Sequence, residues 1–229
     1  VFLFIGDGMG LPQISAARFI IEQAQRLPGE LSLVAIGSLT NLGRALQIEP
    51  RLPNWIRDVT IMGGLIEPEK FPWPPMFETN LNCDPLATQL VFAAPWPITL
   101  VPIEVTSQVY LTAEHRAAIR TWDSPLTTAL VALMEQMQES FSTLSSEVGI
   151  TDDFYQGRTY LHDPLAVYAS IACQFTTVRR MAIGLDVIDD VLRTVVQPDG
   201  APTMHVCVDV DAGPFVTMWI ERVRALVRA

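Results

Sequence analysis

Basic residues are scarce in this chain. Lys and Arg together number 15 against 25 Asp and Glu, for a formal net charge of −10. Non-specific nucleic-acid binding depends on a Lys/Arg footprint that meets phosphates, so nucleic acid is excluded as an expected partner. Cysteine is scarcer still. Cys83, Cys173 and Cys207 are odd in number, far apart and free of any C-x-x-C spacing. They predict neither a zinc site nor a disulfide framework, but buried structural thiols in a reducing cytoplasm. The three histidines, His115, His162 and His205, make no pair at zinc-ligand spacing. No apolar run is long enough to span a bilayer. No basic stretch leading into an apolar segment and a cleavage site marks a secretion signal. The expectation is a cytoplasmic protein with no membrane partner.

Internal repeats, low-complexity tracts and convincing linkers are missing too. What the chain has in quantity is apolar side chains, at 49% of its 229 residues. That suffices for one sizeable core and argues against disorder. A single domain over residues 1–229 is the economical expectation.

Val1 to Ile5 is a continuous apolar run ended by Gly6-Asp7-Gly8-Met9-Gly10, which reads as a buried strand and a glycine-rich turn. Helical spacing follows over 15–27, stopped by Pro28-Gly29. Leu31 to Ile36 reads as a second strand, and Ser38-Leu39-Thr40-Asn41 opens a helix to about Ile48. Val59 to Met62 is a third strand, closed by Gly63-Gly64. A long proline-rich connection leads to Asp84-Pro85, where a capped helix starts and runs to Ala93. Ile98 to Val101 is a fourth strand, and helices are predicted over 113–122 and 126–144. After a polar run, Leu165 to Cys173 is helical. Thr176 to Val187 and Val191 to Val196 read as a hairpin about Asp189-Asp190. A strand over 203–210 and a helix over 215–227 close the chain. Alternating strands and helices predict an α/β fold, a mostly parallel sheet with flanking helices and a small antiparallel element near the C-terminus.

In an open α/β sheet, ligands bind beyond the carboxyl ends of the strands. Asp7, Gly37-Ser38 and Met62-Gly63-Gly64 fall just past strand ends, and Glu78, Asn80 and Asn82 lie in the loop beyond. His162-Asp163-Pro164 opens a helix. Pro164 suits a first helical position, which makes Asp163 the N-cap and leaves His162 in the feeding loop. A carboxylate there caps the helix or ligates a cation, and imidazole suits proton transfer near neutral pH. A capped helix with a loop histidine is the plain alternative. Trp55, Trp73 and Trp96 are expected to pack rather than bind bases, Met134 and Met137 to be core, Arg179-Arg180 to be solvated and His115 to have no function.

Five segments, in order, resemble one family. Ile36-Gly37-Ser38-Leu39-Thr40-Asn41 is similar to the Gly-Pro-Leu-Thr-Asn segment of the inosine/uridine-preferring nucleoside hydrolases, and Ile61-Met62-Gly63-Gly64 to their Met-Gly-Gly turn. Glu78-Thr79-Asn80 with Asp84-Pro85 resembles their Glu-Phe-Asn…Asp-Pro stretch. Val101-Pro102-Ile103-Glu104-Val105-Thr106 resembles their Leu-Asp-Val-Thr segment, with Glu104 for Asp. His162-Asp163-Pro164-Leu165-Ala166 resembles their His-Asp-Pro element. The resemblance implies hydrolysis of the N-glycosidic bond of a small-molecule ribonucleoside, purine or pyrimidine, at a bound Ca²⁺. It implies Asp163 and the Ile36 carbonyl as metal ligands, to which Asp7 of the first-strand turn is added as a candidate. Met62, Glu78, Asn80 and Asp163 would bind substrate, and His162 would protonate the leaving base.

The family's first strand ends in an Asp-x-Asp-Pro-Gly-x-Asp-Asp loop that has no counterpart here, so the fold is expected to be N-terminally incomplete. Residues 1–17 instead resemble the first strand of alkaline phosphatases, whose Phe-Ile-Gly-Asp-Gly-Met-Gly turn carries a metal-binding Asp. Asp7 would then offer one carboxylate where the family has several. Weak or lost hydrolysis is the expectation. A non-catalytic relic or ribose-binding module is the alternative. A phosphomonoesterase fragment is a third reading, poorly served by Asp123-Ser124-Pro125 in place of an Asp-Ser-Ala nucleophile. Missing strands would expose a sheet edge and invite a homo-oligomer.

Overall fold

The computed structural model describes residues 2–5, 13–71, 78–147, 157–200 and 203–228. In chain order the elements are β1 (Phe2–Ile5), α1 (Gln13–Arg26), β2 (Leu31–Ala35), α2 (Thr40–Ile48), β3 (Ile56–Met62), α3 (Thr79–Asn82), α4 (Pro85–Ala93) and β4 (Ile98–Val101). Then come α5 (Ile103–Thr106), β5 (Tyr110–Leu111), α6 (Ala113–Arg120), α7 (Pro125–Glu147), β6 (Thr159–Tyr160) and α8 (His162–Ile171). The chain closes with β7 (Thr176–Met181), β8 (Ile183–Ile188), β9 (Val191–Val196), β10 (Met204–Val210) and α9 (Ala212–Arg228). No helix among the described residues is long and apolar enough to cross a membrane.

The chain divides into two compact units, one of residues 1–106 with 162–209, the other of 107–161 with 210–229. The first holds the main sheet, in the order β1-β2-β3-β4-β10-β7. Strands β1 to β4 and β10 run parallel. The wholly buried sequence of β2 fits a strand covered on both faces. Leu33 and Ala35 join the main apolar cluster with residues of α1 and α2, whereas Val34 is buried outside it. Alternation along the strand sends Val34 and Thr60 to the opposite face, where α8 lies against β2, β3 and β4. β3 starts at Ile56, three residues before its apolar run, because Ile56 and Asp58 pair with Leu31 and Ser32 of β2 across an irregularity at Arg57.

Local chemistry explains the helix starts. Asp84 accepts the Ala87 amide at 3.0 Å with Pro85 at the first position, as predicted. α6 opens on a reciprocal cap: Thr112 accepts from the His115 amide, and His115 Nδ1 accepts from the Thr112 amide at 3.1 Å. His115, given no role from sequence, is thus a capping residue of the second unit. In that unit β5 and β6 form an antiparallel ribbon, and the buried Arg116 donates to the Gly157 carbonyl at 2.9 Å.

The hairpin expectation needs correcting in one respect. The segment over 176–187 breaks at Ala182: β7 joins the main sheet, and only β8 pairs with β9. Asp189 and Asp190 have φ of 52° and 61° and join Ile188 to Val191 directly. A two-residue turn with both φ positive matches strand twist, and Asp tolerates that region. Two core expectations also fail. Met134 is buried but Met137 is exposed, one turn toward solvent. Cys207 is buried, while Cys83 and Cys173 are exposed, since each sits just past or at the end of a helix rather than inside one. Trp96 packs and donates to the Val91 carbonyl at 3.0 Å, and Trp55 is half-buried against the core. Trp73 lies outside the described residues.

A Cβ at Gly43 would stand 2.6 Å from the Ala87 Cβ and 2.8 Å from its Cα, so α2 and α4 touch there through the missing side chain. Gly43→Val should therefore force the helices apart and destabilise the fold by about 1–3 kcal/mol, despite the better helix propensity. A urea midpoint unchanged from wild type would refute that close contact.

Candidate active site at the carboxyl rim of the sheet

The strands of the first unit end on one line. Ile5 pairs with Ala35, Ala35 with Ile61, and Met62 with Val101. Ile36, Met62-Gly63-Gly64 and Pro102 therefore leave the sheet side by side. The Gly63 amide donates to Val101 at 3.1 Å, and Gly64 accepts from the Ile103 amide at 2.9 Å. Gly64 has φ 83°, and a Cβ there would come within 3.0 Å of Thr194 in β9. Thr194 also bonds the backbone of Leu65 in both directions, at 3.0 and 2.8 Å. The turn is thus fixed by conformation and by contact, which only glycine permits.

Glu104, which stands for the family's Asp, has no role of its own in the motif. It is 2% exposed, and one carboxylate oxygen accepts the amides of Ile66 and Glu67 at 2.9 and 3.0 Å. Burial raises its pKa above the ordinary carboxylate value, against the lowering effect of those amides. The signal was present: Glu104 lies inside a matching motif, but its partner amides lie 37 and 38 residues upstream.

Glu78 ends the loop, and Asn80 lies in α3. Glu78 is the N-cap of α3, and its two carboxylate oxygens accept the amides of Asn80 and Leu81 at 2.9 and 2.8 Å. Both side chains are buried. Asn80 Nδ2 donates to the Met62 carbonyl at 3.0 Å and lies 3.2 Å from its sulfur. So Met62, Glu78 and Asn80 form one connected group at the rim. Asn82 instead pairs its amide with the backbone of Leu192, both bonds at 2.9 Å, and ties α3 to β9.

The His162 helix also departs from expectation. α8 begins at His162, so Asp163 and Pro164 lie in its first turn and Asp163 is not a loop N-cap. Proline is tolerated there because no first-turn amide has an intrahelical partner. His162 Nδ1 lies 2.7 Å from Thr106 Oγ1. Thr106 is fully buried, at the end of α5, and α5 packs on α8. The pair holds the imidazole a few residues past the end of β4. Burial pushes its pKa down to about 4.

Asp163 is half-buried at the start of α8, and Ile36 is half-buried just past β2. Asp7 lies outside the described residues. Calcium takes 6–8 oxygen ligands. Among the described residues no three His, Cys, Asp or Glu side chains gather to hold a metal. One carboxylate and one carbonyl do not make a calcium site, so the described residues alone do not fit the ion. A cavity of about 330 Å³ opens nearby, lined by Leu65, Ile66, Leu81, Ile188 and Leu192, with Glu78 at its edge. His162, Asp163, Met62 and Asn80 do not line it. It is a largely apolar gap lined by residues of β8 and β9, and it shares Glu78 with the Met62–Asn80 group.

The mostly parallel α/β sheet matches that of nucleoside hydrolases of known structure, among them a plant enzyme with a TM-score of 0.75 at 25% identity, covering 91% of this chain and 66% of that one. The profile of the family described as inosine-uridine preferring nucleoside hydrolase matches residues 7–217, and the chain belongs to that family. It is 28% identical over 220 residues to a probable uridine nucleosidase 2 of Arabidopsis thaliana, covering 91% of this chain and 65% of that protein. It is 27% identical to the pyrimidine-specific ribonucleoside hydrolase RihA of Citrobacter koseri, covering 94% of this chain and 70% of that one. The purine-preferring ribonucleoside hydrolase of Gardnerella vaginalis superposes with a TM-score of 0.77 at 25% identity, covering 93% of this chain and 66% of that one. The chain thus spans about two thirds of the length of these relatives.

Two titrations follow from the burial. For His162 the folded pKa of about 4 lies below the ordinary 6.5, so the unfolded chain holds more protons between them. Stability is full above pH 6.5 and falls as pH drops through 4, by up to about 3 kcal/mol. His162→Asn should lose that slope in urea melts from pH 7 to 4. Glu104 has the opposite sign. Its folded pKa is raised, so stability falls as pH rises from the ordinary value of 4.5 through the folded one. Glu104→Gln keeps the acceptor oxygen and should gain on wild type from pH 4 to neutral. Parallel stability profiles for either pair would contradict the burial argument.

Proposed function

We propose that this chain hydrolyses the N-glycosidic bond of ribonucleosides, slowly, with His162 handing a proton to the departing base. The observation that carries the reading is an imidazole held at the carboxyl rim of a nucleoside-hydrolase fold. Asn80, Met62 and Glu78 are the ribose-facing group of the proposal. A carboxylate has about four lone-pair sites, so Glu78 can keep its two backbone amides and still accept sugar hydroxyls. Holding the sugar favours the oxocarbenium character that develops as the base departs. The names of the relatives cover uridine, pyrimidine and purine nucleosides, and the proposal extends to both base classes.

Asp163 and the Ile36 carbonyl are the hard oxygen donors this reading assigns to calcium. The described donors fall short of a full set. β1 pairs in parallel with β2, which supports reading Val1 to Ile5 in the place of the family's first strand. The family match begins at residue 7, within the segment that resembles alkaline phosphatase. It runs through residues of both compact units, which supports one hydrolase-like domain.

The test is release of base from inosine and uridine, with and without added Ca²⁺. Slow turnover is expected, and His162→Ala should lower kcat by a further factor of about 10²–10⁴. Unaltered turnover in that variant would remove His162 from the chemistry. No cleavage by wild type, with ribose still bound, would leave a binding module.

A further inference from the structure

Thr106 ends the Val101–Thr106 motif and has no part in the proposal above. We propose that Thr106 is a positioning residue that fixes the tautomer of His162, keeping the ring proton on Nε2, where a leaving base can take it. The inference rests on His162 being the proton donor of the proposed hydrolase.

A neutral imidazole has one N–H and one bare nitrogen, and a hydroxyl has one proton to give. Among the described residues Thr106 Oγ1 has two hydrogen-bond partners, His162 Nδ1 at 2.7 Å and the Ile103 carbonyl at 3.3 Å. In one arrangement the hydroxyl donates to Nδ1, and the ring proton sits on Nε2. In the other, Nδ1–H donates to Oγ1, and the hydroxyl turns to Ile103. The lengths favour the first. A contact of 2.7 Å is ordinary for a hydroxyl donor and short for N–H, whose usual length is about 2.9–3.0 Å. The 3.3 Å contact to Ile103 lies beyond the normal range of roughly 2.5–3.0 Å for O–H donation to oxygen.

Thr106 is also built to hold still. Its side chain is 0% exposed, and its amide donates to the Pro102 carbonyl at 3.1 Å. Branching at Cβ restricts χ1. α5 packs directly on α8, so donor and ring move as one piece. Thr106 and His162 are 56 residues apart in sequence, and the fold brings them to one hydrogen bond. A ring with its proton on Nδ1 presents a bare Nε2 and has nothing to donate. In a serine protease the wrong histidine tautomer costs on the order of 10⁴ in kcat.

The tautomer is read directly by ¹⁵N NMR of the histidine-labelled full chain at pH 7. Wild type and Thr106→Ser should show the His162 proton on Nε2. Thr106→Val, which keeps the shape and removes the hydroxyl, should shift it wholly or partly to Nδ1. A proton on Nδ1 in wild type overturns the proposal, and so does an unchanged ring in Thr106→Val. In hydrolysis, Thr106→Val should lower kcat for inosine at least about tenfold, within the span of general-acid effects, with KM little changed. Thr106→Ser should restore it. A 4-nitrophenyl riboside, whose leaving group departs without a proton, should be cleaved by Thr106→Val as by wild type. Equal loss on both substrates would make Thr106 merely structural and overturn the proposal. Absence of any nucleoside cleavage by wild type counts against the hydrolase reading alone, because the NMR result still decides the tautomer.

Discussion

The rim of the parallel sheet is set by register. Each of β1 to β4 meets its neighbour so that Ile5, Ala35, Ile61 and Leu100 lie on one line. Every candidate in the described residues hangs on that line or on a short element just beyond it. A one-residue slip in any pair would turn the following side chain to the other face, because the side-chain period of a strand is two. The register is protected by burial on both faces, so the ladder and the core specify one another. The Gly63-Gly64 turn then carries the chain off β3 through a left-handed residue against Thr194, with no room for a side chain.

Two buried glutamates show how the rim is braced. Glu78 and Glu104 each spend carboxylate oxygens on backbone amides of a segment that follows a strand or begins a short helix. An unpaired amide in such a place costs about 1–3 kcal/mol, and a charged acceptor serves it better than a neutral one. The cost is desolvation of the acid, visible in the raised pKa of Glu104. Glu78 holds the first turn of α3, and Glu104 holds the segment after the Gly63-Gly64 turn.

Much of the fold could be read in the chain. Uniform apolar runs such as Leu31 to Ala35 announce a doubly covered strand, and Asp84-Pro85 announces a helix start, because both depend on neighbours in sequence. The Asp189-Asp190 turn was visible for the same reason. The break at Ala182 was not, since β7 and β8 differ only in which strand each finds as partner. Met137, Cys83 and Cys173 are exposed against expectation, because apolar character alone does not fix which way a side chain faces.

The same division runs through the site. Sequence by itself determined which residues stand at strand ends and the motif that joins His162 to Asp163, since strand, turn and helix signals are local. It could not determine that Glu78 caps α3 with both oxygens, that Asn80 reaches the Met62 carbonyl across 18 residues, or that Thr106 meets His162 across 56. Those partnerships are between groups far apart along the chain. Only the packing of α5 on α8 and the shared register of β3 and β4 bring their atoms within hydrogen-bond distance, and only that distance makes a donor or acceptor count.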